Sequence, residues 1–139
     1  MKKDKIIISI CSRSFNNNLL ILLNCIYKNW QFSNLNIKVL IIFNGSKRIQ
    51  NLQKKLIQKS LKKIKYIIGF ENRVGISYVR NRVLKKLKCL DYDYGCFLDD
   101  DCMIKKNFIV KHLNFIKKII VKKLVELNYL NLKKLFLGF

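Results

Sequence analysis

Three adjacent carboxylates, Asp99, Asp100 and Asp101, are the strongest candidates in the sequence for a functional site. The grouping is distinctive because the 139 residues include only eight acidic ones. Neighbouring carboxylates repel each other unless a cation or a ligand compensates their charge. A hard divalent cation such as Mg²⁺ or Mn²⁺ can do so, since it prefers oxygen ligands and keeps positions for phosphate oxygens and water. The triplet therefore predicts a metal-assisted phosphate site, and a solvated acidic turn is the alternative.

Two other segments carry residues suited to a nucleotide. Gly75 permits close backbone approach at the start of a predicted helix, and helix N-termini favour anions. Arg80 lies further along that helix, where it could reach a phosphate, and an ordinary helix start with a surface arginine is the alternative. Phe15 and Asn16 follow an apolar run and could stack on a base and bond its edge. The alternatives are a core aromatic and a helix cap.

Apolar runs alternate with amphipathic stretches along the chain, which predicts βαβ units and a mostly parallel sheet with helices on both faces. Ligands bind such sheets beyond the carboxyl ends of the strands, so Phe15, Asn44, Arg80 and Asp99 should surround one crevice. The predicted strands are residues 5–11, 37–43, 66–68 and 95–98, and the predicted helices are residues 16–30, 49–64, 75–87 and 108–127.

The composition limits the classes of function. The formal net charge is +21, but only five of the 29 basic residues are arginines, and Ala, Pro and Thr are absent. This bias predicts loose, salt-sensitive affinity for polyanions and no specific nucleic-acid partner. Five cysteines without a Cys-x-x-Cys pair, and one histidine, argue against a zinc site or a disulfide framework. No apolar run reaches the roughly 18 residues of a membrane span. We expect one cytoplasmic domain over residues 1–139.

Four short stretches, taken in order, resemble the motifs of family-two inverting glycosyltransferases of GT-A fold. The resemblance covers about residues 6–115 and implies a Rossmann-like nucleotide-binding sheet. It also implies a nucleoside-diphosphate sugar as donor, a saccharide, lipid or protein as acceptor, and Mg²⁺ or Mn²⁺ as cofactor. The stretches are Ser14-Phe15-Asn16-Asn17, Phe43-Asn44-Gly45-Ser46, Asn72-Arg73-Val74-Gly75 with Val79-Arg80-Asn81, and Leu98-Asp99-Asp100-Asp101.

The resemblance implies a role for each candidate residue. Phe15 would stack on the base and Arg80 would support the diphosphate, while Asp101 would bind the metal. Asp99 would serve the ribose and the metal together. Asp100 is grouped with the nucleotide-sugar ligands, although alternation in an extended segment would point its side chain away. The full nucleotide-sugar set is Phe15, Asn16, Asn44, Arg80, Asp99 and Asp100.

Two departures from the family pattern stand out. Phe43 occupies the place of an aspartate, which alters ribose and base recognition and leaves Asn44 as a partial substitute. The family's general base lies downstream, whereas Glu126 is the one carboxylate after Asp101, and we assign it no role. We therefore expect the acceptor-binding half to be missing. The alternatives are an inactive relic of the fold, or a small basic protein that binds nucleic acid or an anionic membrane, there through the lysine-rich residues 108–127.

Overall fold

The computed structural model describes residues 3–45, 55–58, 64–127 and 135–137. The predicted elements are found there, extended by one to three residues at several ends. Most of the predicted helix at residues 49–64 lies outside the described residues. Within that range, residues 55–58 are described and are helical. The other elements are β1 (Lys5–Ser12), α1 (Asn17–Gln31), β2 (Asn36–Asn44), β3 (Lys65–Glu71), α2 (Ile76–Lys88), β4 (Tyr94–Asp99), α3 (Phe108–Leu127) and β5 (Leu135–Leu137).

The described strands form one sheet in the order β3-β2-β1-β4-β5, and every neighbouring pair is parallel. The predicted α/β class with a parallel sheet is confirmed. We did not predict β5, which pairs with β4 through Tyr94↔Leu135 and Cys96↔Leu137. The strand order runs outward in opposite directions from β1, so β1 and β4 flank a topological switch point. Ligands of open parallel sheets bind in the crevice at such a point.

Alternating side chains of β1 build a core on each face of the sheet. Ile6, Ile8 and Ile10 are buried on the face covered by α1 and α3. Ile7 and Cys11 are buried on the opposite face, under α2. This alternation follows from the period of two residues in a strand. Helices on both faces were predicted, and among the described residues α1 and α3 pack on one face and α2 on the other.

The helices start and pack as their sequences predict. Asn16 caps α1, where its Oδ1 accepts a hydrogen bond from the Leu19 backbone N–H at 2.8 Å. One face of α2 buries Val79, Val83 and Leu87. Within the described part of the chain, no helix is long and apolar enough to cross a lipid bilayer.

Candidate functional site

A crevice of about 550 Å³ lies at the carboxyl ends of the strands, around the switch point. Four separate segments line it: the end of β1 with the residues that follow, the end of β2, the start of α2, and the end of β4. Its lining includes Asn16, Asn44, Asp99, Asp100 and Asp101 from the predicted set. We call Ser12 and residues 99–101 the acidic wall. We call Asn44 and residues 71–75 the amide wall.

The acidic wall is shaped by a turn immediately after β4. The strand ends at Asp99, whose backbone carbonyl accepts a hydrogen bond from the Cys102 N–H at 3.1 Å. Asp100 therefore lies in the turn, and the Ser12 hydroxyl donates to its Oδ2 at 2.5 Å. Our expectation that Asp100 points away was wrong, because strand alternation does not extend past Asp99. Instead, the Asp100 carboxylate lines the crevice and ties β4 to β1.

Arg80 lies next to Asp99, as expected, although Arg80 itself is not among the residues that line the crevice. Arg80 Nη2 is 3.7 Å from Asp99 Oδ1. The two side chains are 50% and 56% exposed, so the pair is a solvated one and contributes little to stability. Both groups remain accessible to a ligand. A guanidinium beside carboxylates can bind a phosphate that is coordinated to a cation.

The amide wall is held together by its own hydrogen bonds. Asn44 Nδ2 donates to the carbonyls of Glu71 at 3.0 Å and Arg73 at 2.5 Å. Its Oδ1 accepts from the Gly75 N–H at 3.1 Å. Gly75 has a φ of 131°, which residues with a Cβ rarely adopt, and it precedes the first residue of α2. The amide of Asn44 therefore fixes the entry into α2.

Glu71 adds further hydrogen bonds to the same wall. It is buried, and the backbone N–H and the guanidinium of Arg73 both donate to its carboxylate, with Nε at 2.9 Å from Oε1. These hydrogen bonds from Arg73 lower the pKa of Glu71 to about 2. Glu71 is thus an ionised structural partner of Arg73, and the sequence did not assign it a role. The signal that could have found it is a lone acid at the end of a buried strand.

Phe15, the aromatic predicted to bind the base, and Phe43, which departs from the family pattern, both lie outside the crevice lining. Phe43 is 1% exposed and stacks on Phe70 with ring centroids 6.0 Å apart. Its side chain therefore belongs to the core and offers nothing to a ribose. Phe15 is half-buried and packs against the core cluster on the α1 face. Its proposed stacking on a base stays a prediction.

Three residues at or just after the end of β1 line the crevice, although the sequence assigned none of them an individual role. Ser12 is buried and bonds Asp100, while Arg13 is exposed. Cys11 is buried, and burial raises the pKa of its thiol to about 11, against the opposing effect of Arg80. Cys11 therefore stays a neutral thiol at physiological pH. Polar residues directly after a central strand were the available signal for Ser12 and Arg13.

The acidic wall offers oxygen donors of the kind that Mg²⁺ and Mn²⁺ prefer. Asp99 and Asp101 are exposed at the crevice, whereas Asp100 already accepts from Ser12. Among the described residues, no three His, Cys, Asp or Glu side chains are arranged to enclose a metal ion. The two exposed carboxylates, those of Asp99 and Asp101, would suit a cation that takes one or two protein ligands and completes its shell with phosphate and water.

Comparison with known proteins identifies the family. No curated protein and no solved structure matches the chain. The family model described as "Glycosyl transferase family 2" matches residues 5–121, a stretch that includes both walls of the crevice. The match agrees with the α/β class and the parallel sheet. The chain belongs to glycosyl transferase family 2.

Proposed function

We propose that the crevice binds a nucleoside-diphosphate sugar together with Mg²⁺ or Mn²⁺, as the donor site of a sugar-transfer reaction. The observation that carries this proposal is the acidic wall at the β1–β4 switch point, with Arg80 3.7 Å from Asp99. Family membership supports it, because family-two enzymes generally use nucleotide-sugar donors and saccharide, lipid or protein acceptors.

The roles of individual residues follow from their exposure and partners. Asp101 and Asp99 would hold the cation, which supplies Lewis-acid stabilisation of the departing diphosphate. Arg80 would contact the diphosphate from α2. Ser12 orients Asp100 and keeps the ends of β1 and β4 together. Ser14 and Asn16 line the side of the crevice nearest β1, where a ribose or base would lie.

Calorimetric titration of the wild type with UDP and GDP, with and without Mn²⁺, tests this proposal. We expect Mn²⁺-dependent binding that Asp101→Ala abolishes and Asp99→Ala weakens. Lys88→Ala, at the far end of α2, is the matched control and should bind as the wild type does. Equal affinity in all variants would contradict the metal assignment. A wild type that binds no nucleotide would support the inactive-relic alternative.

We propose, as a second function, that the protein binds the surface of an anionic membrane. Phe32, directly after α1, is 61% exposed, and Lys106 Nζ lies 4.8 Å from its ring centroid. Lys28 is one turn earlier on α1, and Met103 is 79% exposed in the segment leading to α3. Apolar side chains among lysines are the combination that binds the interface of anionic bilayers.

Co-sedimentation with phosphatidylcholine vesicles, with and without phosphatidylglycerol, tests the membrane contact. We expect binding only to the anionic vesicles, weakening as salt is raised. The double variant Phe32→Ser with Lys106→Glu should lose most of it. The control Lys86→Glu changes the net charge by the same amount on α2, across the sheet. An equal loss in the control would show that binding reflects net charge alone.

A further inference from the structure

The side-chain amide of Asn44 uses both of its ends within the protein. Its Nδ2 donates to two carbonyls, those of Glu71 and Arg73, and its Oδ1 accepts from the Gly75 N–H. The parallel register places Asn44 beside Glu71, and the Gly45 N–H also donates to the Glu71 carbonyl at 3.3 Å. Carbonyls require the NH₂ end and an N–H requires the oxygen, so the pattern of partners fixes the orientation of the amide. We call this set of three side-chain bonds the Asn44 clamp.

The Asn44 clamp controls where α2 begins. The loop from β3 reaches α2 through Gly75, and Gly75, Ile76 and Val79 line the crevice. The first backbone N–H groups of a helix have no carbonyl partner within the helix and point towards its N-terminal side. Their position relative to the acidic wall therefore depends on how firmly Gly75 is held.

A second set of bonds keeps the loop folded when the clamp is broken. The Glu71 carboxylate accepts from the backbone N–H of Arg73 at 3.1 Å and from its guanidinium. The Arg73 guanidinium also lies 4.5 Å from the ring centroid of Tyr78, on α2. Loss of the Asn44 amide should therefore loosen Gly75 without unfolding the domain.

We infer that Asn44 is a positioning residue, which acts on the diphosphate through Gly75 and the first turn of α2 instead of contacting the nucleotide. This inference rests on the proposed donor site. It also replaces our sequence-based expectation that Asn44 stands in for a missing ribose-binding aspartate. Asn44 lines the crevice, but all three of its described side-chain bonds are made to the protein backbone.

The chain supplies a matched control in Asn29. Its Nδ2 donates to the carbonyls of Cys25 at 3.0 Å and Lys105 at 3.1 Å, and its Oδ1 accepts from the Ile109 N–H at 3.4 Å. This amide joins α1 to the segment that enters α3, and it is not part of the crevice lining. It makes the same number and kind of bonds as Asn44, and it is buried. Removing the Asn29 amide should lower the free energy of unfolding at least as much as removing the Asn44 amide.

The test compares Asn44→Ala, Asn44→Asp and Asn29→Ala. Affinity for UDP and GDP is measured by calorimetry with Mn²⁺, and exchange of the Gly75 amide hydrogen is measured by NMR, both well below the unfolding temperature. We expect Asn44→Ala to speed Gly75 exchange and to weaken nucleotide affinity by about tenfold. Asn44→Asp keeps an acceptor for the Gly75 N–H, but its carboxylate cannot donate to the Glu71 and Arg73 carbonyls and is repelled by them. It should therefore also weaken nucleotide affinity. Asn29→Ala should change neither quantity.

The outcomes separate this inference from the donor-site proposal. Wild-type affinity in Asn44→Ala would overturn the positioning role, and so would an equal loss in Asn29→Ala, which would show a general effect of stability. Unchanged Gly75 exchange in Asn44→Ala would overturn the Asn44 clamp itself. A wild type without nucleotide affinity would overturn the proposed function and the role of Asn44 in it, whereas Gly75 exchange would still report on the clamp.

Discussion

The two walls of the crevice use polar residues in opposite ways. On the acidic wall, Asp99 and Asp101 are exposed and therefore available to a ligand. On the amide wall, the hydrogen-bonding groups of Asn44 and Glu71 bond to other groups of the protein. Both walls lie at carboxyl ends of parallel strands, so position in the fold alone does not make a residue a ligand contact. The number of bonds that a side chain already makes within the protein distinguishes the two cases.

The largest effect should come from restoring a carboxylate at position 43. Phe43→Asp puts a charge where an aromatic ring is fully buried, so we expect the free energy of unfolding to fall by at least about 3 kcal/mol. Urea unfolding of wild type, Phe43→Asp and the milder Phe43→Leu, expected at roughly 1.5 kcal/mol, would measure it. A stable Phe43→Asp with improved nucleotide affinity would show that position 43 faces the ligand instead of the core.

Glu71 should make stability depend on acid pH. Its pKa is lowered from 4.5 to about 2, so the ionised carboxylate stabilises the fold fully above about pH 4.5, and this stabilisation is lost as pH falls towards 2. Glu71→Gln should lower the free energy of unfolding at pH 7, and the gap to wild type should narrow between pH 4.5 and 2. Chemical unfolding across this pH range is the measurement. A gap of constant size down to pH 2 would contradict the ion pair with Arg73.

The Ser12–Asp100 hydrogen bond should contribute about 1 kcal/mol of coupling between the two strands. A double-mutant cycle of Ser12→Ala and Asp100→Ala, measured by urea unfolding, isolates this coupling. Removing Asp100 should therefore destabilise the fold, although removing one of three adjacent carboxylates also relieves repulsion. Additive effects of the two substitutions would show that the bond does not form in solution, and Asp100 would then resemble its exposed neighbours.

The smallest effect on stability should come from the Arg80–Asp99 pair. Both side chains are about half-exposed, so we expect Arg80→Gln to change the free energy of unfolding by less than about 0.5 kcal/mol. Its nucleotide affinity should nevertheless fall, which the calorimetric assay would detect. A large loss of stability with unchanged affinity would place this pair with the structural bonds of the amide wall.

Much of the fold follows from local patterns in the sequence. The Ile-rich run of β1, the Asn16 cap and the spacing of Val79, Val83 and Leu87 each predicted an element that is present. These features depend on neighbours within a few residues. β5 was missed because three apolar residues have no detectable period, and their strand pairing depends on β4.

The site was less predictable, because its details depend on contacts between distant segments. The sequence pointed to the three carboxylates, which line one crevice, and to Arg80, which lies beside Asp99 without being part of the lining. The function of Asn44 could not be predicted, because its partners are brought to it by the register of β2 with β3. The predicted direction of the Asp100 side chain was wrong, because the chain turns after β4 where the Cys102 N–H donates to the Asp99 carbonyl.

The hydrogen bond between Ser12 and Asp100 joins residues 88 positions apart, which has a consequence for folding. β1, β2 and β3 are consecutive in both sequence and sheet, so they can assemble from comparatively local contacts. β4, by contrast, pairs with β1, and contacts between residues so far apart in the sequence form more slowly than local ones. The acidic wall cannot exist before that pairing. We therefore expect a partly folded chain in which β4 has not yet joined the sheet to lack the proposed donor site.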